Sequence, residues 1–389
     1  MGGADAICID RRVGLGVGPK HGRRVRSRNA RRRMSRYGMS RGVRQSENDR
    51  CSAIARKWAA TTWLDSPHDG LSESGFAHLI PSTVRGMAVT SDGIGTKVEI
   101  AERTQRYETL GFDLVAMVVD DLAAGGARST AVTNILDVNR FDETTVDALM
   151  RGLAAAARAA GVVVAGGEIA QLGERIQGYG EGVHLNWCAT ALGDPLPGPS
   201  RALREGDTLI AFASDGFRSN GFTLVRSTLA AEFGPEWHAA RAASGETWGE
   251  ILITPSRIYA PAVVELADAG VPLLACVHVT GGGLPGNLPR ILEGSELHAD
   301  LGALPAPHEA MTELIEHASI CPKDAYEQWN MGTGFICVVP PEFGDQVVKL
   351  ASARGIRANV AGALSTGGEG VTIDAREWSM GRLTFEDES

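Results

Sequence analysis

The sequence predicts an α/β (α+β) chain of two domains, and three observations carry that reading. Short apolar strands alternate with helical segments, glycine clusters fall where strands end, and a breaker-rich stretch interrupts the alternation near the middle. That stretch is Gly193-Asp-Pro-Leu-Pro-Gly-Pro-Ser200. It divides an N-terminal domain over residues 34–198 from a C-terminal one over 199–375. At 389 residues the chain exceeds one typical domain.

The elements follow in order. Gly86–Ser91 reads as a short strand running into the polar, glycine-rich segment Asp92–Lys97. Asp113 to Ala124 is apolar with two acids near its end, and periodicity leaves helix against strand undecided. Thr144 to Ala160 is an amphipathic helix. Val146, Leu149, Met150, Leu153 and Ala157 line one face, and Gly161 stands where a C′ glycine ends such a helix. Val162–Ala165 predicts a short buried strand that empties into Gly166-Gly167-Glu168. In the second half, Thr208–Ala213, Leu273–Val279 and Gly334–Val339 read as strands and Ser256–Ala269 as a helix. The tail over 376–389 is polar and reads as loose.

Charge is unevenly spread. Residues 1–50 carry a net +10 while the whole chain is −9, so the remainder carries −19. An acidic body argues against nucleic acid as the main partner. The basic head over 1–33 reads as a disordered extension ahead of a start at Met34, with a targeting segment or a nucleic-acid arm as alternatives. No run is long and apolar enough to suggest a membrane span. The six cysteines are scattered without a CxxC pair, so the prediction is a reducing, cytoplasmic location with neither zinc nor disulfides.

Five segments carry chemistry. In Asp92-Gly93-Ile94-Gly95-Thr96-Lys97, the glycines let backbone amides face a phosphate, Lys97 can neutralise charge and Asp92 can organise magnesium. The plain alternative is a strand-end turn with a surface lysine. Asp120-Asp121 and Gly166-Gly167-Glu168 add carboxylates beside glycines, a pattern that suits Mg²⁺ bridging nucleotide phosphates as well as it suits solvated turns. Ser214–Gly221 supplies Arg218, able to pair with phosphate, and Asn220, able to bond an amide. His278-Val279-Thr280 runs into Gly281, Gly282 and Gly283, whose entropic cost implies a close ligand or backbone contact. A histidine in such a place is more often structural than catalytic. Ser/His/Asp and HExxH patterns are absent, so hydrolase and zinc-peptidase readings gain nothing.

In register, SDGIGTK (91–97), LGFDLVAMVVDDL (110–122), AGGEIAQLGE (165–174), SDGFRSNGFTLVR (214–226), TPSRIY (254–259), HVTGGGLPGNLPR (278–290) and NMGTG (330–334), with Arg36-Tyr37 and Arg41–Val43, resemble the phosphoribosylformylglycinamidine cyclo-ligase family. The chain departs from it at Asp120, where many members have asparagine, at Arg218, where many have histidine, and at Ile169-Ala170-Gln171. The resemblance implies an N-terminal domain whose strands pair with a second subunit into a barrel, hence a homodimer. It also implies ATP and Mg²⁺ as cofactors and a phosphoribosyl amidine nucleotide as the small-molecule substrate. By that resemblance Asp92, Asp121 and Glu168 organise the metal. Gly93, Gly95, Thr96, Lys97, Asp120, Gly166 and Gly167 hold phosphates, and Asn220, His278, Thr280 and Gly281–Gly283 line the reaction site. A superfamily kinase or synthetase with another substrate, held open by Arg218 and Gln171, and a non-catalytic nucleotide-binding protein are the rival readings.

Overall fold

The computed structural model of the chain describes residues 72–74, 77–80, 86–368 and 370–386. The expectations for the basic head and for Arg36–Val43 lie outside them.

The first sheet holds β1 (Ser72–Ser74), β2 (Ala77–Ile80), β3 (Met87–Gly93), β4 (Ala127–Val138), β5 (Val163–Gln171) and β6 (Leu185–Pro195). Its order is β1-β2-β3-β6-β4-β5, antiparallel except for the parallel pair β4 and β5. One helix, α1 (Leu110–Ala124), packs across β3, β6 and β4 and against α2 (Glu143–Ala160). Their crossing is close. A Cβ on Gly111 would meet the Gly152 carbonyl carbon at 2.1 Å, so a larger residue at either position separates the helices. Asp142 caps α2 by accepting from the Thr145 amide, and Gly161 ends it at φ 71°.

Helix α1 settles what periodicity left open. It is buried on nearly every face because the sheet lies on one side, α2 on another, and the second half of the chain closes over its C-terminal end. A helix wrapped this way has no polar stripe to betray its period.

The second sheet comprises β7 (Thr208–Ala213), β8 (Ala275–His278), β9 (Leu297–Leu301), β10 (Thr333–Val339), β11 (Ala358–Thr366), β12 (Val371–Asp374) and β13 (Arg382–Phe385). The order is β13-β12-β9-β11-β7-β10-β8, with only β12 and β9 parallel. Strands β7 and β10 are buried along their whole length, which is why they read as continuous apolar runs. Both sheets belong to one compact unit.

Three expectations need correction. The predicted short, buried strand at 162–165 is the nine-residue edge strand β5, where Val163 is 64% exposed; nothing in the described chain covers it. The tail is not loose through 376–385, because β13 pairs with β12. The second half adds α3 (Phe222–Phe233), and the helix predicted from Ser256 begins at Ala260, here α4 (Ala260–Asp268), because the residues before it are spent on side-chain acceptors described below.

Candidate active site

The site forms where α1 meets the second half of the chain. Asp113 and Asp120 stand seven residues apart, two turns, on the face of α1 that meets this half. Asp113 Oδ1 accepts from Lys97 Nζ at 2.8 Å, Ser256 N at 3.0 Å, Ser256 Oγ at 2.5 Å and Ser219 Oγ at 3.3 Å. Asp120 Oδ1 accepts from the amides of Tyr259 and Ala260 at 2.7 and 2.8 Å, so it caps the start of α4. Its Oδ2 accepts from Arg218 at 3.1 Å. Both carboxylates are fully buried, and burial raises the Asp120 pKa.

This arrangement revises several roles. Lys97 was expected to cradle phosphate, yet it is fully buried. Its ammonium donates to Asp113 and to the Thr254 carbonyl at 2.6 Å, and burial lowers its pKa. Asp120 was expected to hold phosphates or their metal, yet both its oxygens are occupied inside the protein. Arg218 was read as a phosphate partner, yet it is buried. It donates to Asp120, to the Arg257 carbonyl at 2.7 Å and to His278 Nε2 at 2.8 Å, with its guanidinium 4.9 Å from the Tyr259 ring centre. Two departures from the family pattern, at 120 and 218, are therefore partners of one another. Gln171, the other feature that kept a different substrate open, accepts from the Phe141 amide at 3.4 Å.

His278, expected to line the reaction site, is fully buried behind Asp121, with Nδ1 2.8 Å from Asp121 Oδ1. Burial and the adjacent Arg218 push its pKa down to about 3, so the ring is neutral. Asp121 itself keeps 15% of its side chain exposed. Burial pushes its carboxyl up to about 7, against the pull of Arg290 and Arg218. Asp92, at the end of β3, is pushed up to about 6 by burial and, further, by the charge of Asp121, while the Gly93 amide at 2.7 Å pulls the other way. Two acids pushed up by burial, one of them further by the charge of the other, where a strand end meets a helix are a common mark of a functional site.

The glycines divide into two kinds. Gly95, at φ 70° and exposed beside Thr96, is free to face a ligand. A Cβ on Gly93 would press on Cys188 Sγ at 3.1 Å. Gly167 has a packing reason: its Cβ would stand 2.6 Å from Asn134 Nδ2, in a side chain that bonds Trp187 and the Gly166 carbonyl. Register across β3, β6, β4 and β5 aligns Asp92 with Ala189, Asn134 and Gly167, and Gly93 with Cys188, Ile135 and Glu168. Side chains alternate between faces, so Asp92 and Glu168 point to opposite sides of the sheet. Within one chain Glu168 does not join the other two acids, and among the described residues no group of three or more His, Cys, Asp or Glu could hold a metal ion. Asp92 and Asp121 alone still fit magnesium, which commonly takes one or two protein carboxylates and completes its shell with phosphates and water.

On the opposite wall, Asn220 approaches the glycine loop, since a Cβ on Gly281 would lie 3.6 Å from its Oδ1. Asn287 fixes that loop by donating to the carbonyls of Gly281 and Gly283, while its own Oδ1 accepts from Thr280 Oγ1. Gly283 is required by contact as well as by its φ of 61°: a Cβ there would fall 1.7 Å from the Tyr326 carbonyl oxygen. Asn287, Tyr259 and Ser256 were not singled out from sequence. Their parts are second neighbours to the site, and nothing in a single chain marks such residues.

Comparison with known proteins bears on this geometry. The family described as AIR synthase related protein matches residues 76–193 with its N-terminal domain and 204–374 with its C-terminal domain. A phosphoribosylformylglycinamidine cyclo-ligase of Anaeromyxobacter dehalogenans is 34% identical over 341 residues, covering 85% of this chain and 95% of its own. That of Methanothermobacter thermautotrophicus is 33% identical over 304 residues, covering 77% and 86%. Thiamine-monophosphate kinase from Stenotrophomonas maltophilia has the same fold, with a TM-score of 0.56 at 20% identity over 82% of this chain and 95% of that one.

Proposed function

The chain belongs to the phosphoribosylformylglycinamidine cyclo-ligase family of enzymes, and from that premise we propose that it closes the imidazole ring of aminoimidazole ribonucleotide at the expense of ATP. The γ-phosphoryl group passes to the formamide oxygen of formylglycinamidine ribonucleotide and ADP departs. The amidine nitrogen then attacks that carbon; a C–N bond forms, the C–O bond breaks, and phosphate and a proton leave.

The observation that carries this reading is the pair Asp92 and Asp121, held above the ordinary carboxylate range where α1, β3 and the two polar loops converge. Magnesium held by these two acids would neutralise charge on the triphosphate. The chain's own contribution is positioning. Gly95 and Thr96 offer backbone and hydroxyl donors to phosphate, while the Gly93 amide is spent on Asp92 Oδ1, and Asn220, Thr280 and the Gly281–Gly283 loop form the opposite wall for the substrate. Lys97 works one layer behind, holding Asp113 and the Thr254 carbonyl so that the β3 turn and the second half keep their spacing.

A homodimer is part of the proposal. Among the described residues strand β5 leaves an unpaired edge, and Val163, Val164, Ile135 and Leu172 expose between 40% and 64% of their surface. An apolar open edge is a liability that a second copy would cover. Glu168 faces that side of the sheet, so any role it has in metal binding belongs to the assembled dimer. No described helix is long and apolar enough to cross a membrane.

The test is ADP release from ATP with and without formylglycinamidine ribonucleotide, while aminoimidazole formation is followed. Substrate-dependent ADP and imidazole in equal amounts support the reading. ATP binding without turnover rejects it in favour of a nucleotide-binding paralogue.

A further inference from the structure

We propose that Arg218 and His278 form a fixed relay that orients Asp121, making both of them positioning residues behind the metal–nucleotide site. This rests on the assignment of Asp121 to that site.

Donor chemistry fixes the relay's direction. A guanidinium carries only donors, so with Arg218 Nη2 2.8 Å from His278 Nε2, that nitrogen must present its lone pair. The single proton of the neutral ring then sits on Nδ1, which stands 2.8 Å from Asp121 Oδ1 and donates to it. An unrestrained neutral histidine has two tautomers; this one has one. Arg218 is itself immobilised. It is held by Asp120 and the Arg257 carbonyl, lies against Tyr259, and adopts a left-handed φ of 59° that a side-chain-bearing residue keeps only when its surroundings hold it. The consecutive acids of α1 are thereby given different tasks. Asp120 anchors the guanidinium and the start of α4, and Asp121 receives the relay's only outward bond.

His278 has no exposed surface, so it does not touch substrate, and the relay acts through Asp121 alone. Orienting partners of this kind, one layer behind a ligating group, characteristically govern metal affinity.

Two measurements test the proposal. The first uses the full chain without nucleotide: long-range ¹H–¹⁵N correlation of labelled histidines, with the His278 signal assigned by its loss in His278→Asn. The proposal requires the Nδ1–H tautomer, and an Nε2–H signature overturns it. The second compares His278→Asn with His278→Gln in calorimetric binding of Mg²⁺ with a non-hydrolysable ATP analogue. Asparagine can place an amide N–H where Nδ1–H stands, whereas glutamine reproduces only the Nε2 position. His278→Asn should bind at least about 10-fold more tightly than His278→Gln, the scale at which second-layer partners act. Equal affinities, or the reverse order, overturn the relay. Asp121→Asn separates the two levels of argument. If it leaves binding unchanged, the assignment of Asp121 to the metal–nucleotide site fails, while the tautomer measurement still reads the relay itself.

Discussion

Replacing Asp121 by asparagine should stabilise the protein while weakening its nucleotide site. The carboxyl sits near 7 instead of its ordinary 3.8. A folded state that binds this proton more tightly than the unfolded chain loses stability as pH rises from 3.8 to about 7, and the loss levels off above that. Each pH unit of displacement is worth about 1.4 kcal/mol, so ionised Asp121 costs roughly 4 kcal/mol at pH 8. Asparagine carries no charge and still accepts from His278 Nδ1–H, so the variant escapes that cost. Urea denaturation of both proteins, without nucleotide or metal, should show the variant's advantage growing by roughly 2 to 3 kcal/mol between pH 5 and pH 8. An advantage that is flat with pH, or a variant less stable throughout, would refute the claim that burial of this carboxylate is what holds its proton. In the same preparations, binding of Mg²⁺ with nucleotide should weaken as pH falls from 8 through 6, because protons compete for Asp121 and Asp92.

Three further outcomes follow from the geometry. Asp92→Asn should abolish turnover with an unchanged circular dichroism spectrum and a melting temperature no lower than the parent's, since it too removes a carboxyl that burial has pushed up; near-normal turnover sinks the role given to Asp92. Asp120→Ala leaves the buried Arg218 without its carboxylate and the Tyr259 and Ala260 amides without their acceptor, so denaturation should show a loss of about 3–5 kcal/mol or more. Gly283→Ala places a methyl group 1.7 Å from the Tyr326 carbonyl oxygen at a φ of 61°, so it should cost more than the ~1–3 kcal/mol of left-handed strain alone. A thermal melt within one or two degrees of the parent chain would mean that the loop is not held as described.

Much of this protein was legible in its sequence because burial and turn chemistry are local. The apolar runs at 208–213 and 334–339 announced strands that water never reaches, and Gly161 and the amphipathic period marked helix α2 to within a residue. Two of the glycine segments stand where strands end, at Gly93 closing β3 and at Gly281–Gly283 after β8, whereas Gly166–Glu168 lies inside β5 and Asp120-Asp121 inside α1; the order of all of them along the chain carried the family. Roles within those segments were not legible. Adjacent Asp120 and Asp121 look alike in sequence, but a helix turns about 100° between neighbours, which sends one into the protein and the other to the site. Lys97 and Arg218 read as ligands for phosphate because a cation's partner is invisible until the chain closes. Arg218 meets Asp120 across 98 residues, and His278 meets Asp121 across 157. Glu168 was separated from Asp92 only by strand register, since a shift of one residue in a sheet moves a side chain to the other face. Hydrophobic pattern records which residues avoid water; which buried charge neutralises which is decided by tertiary closure, where desolvation makes every unpaired choice costly.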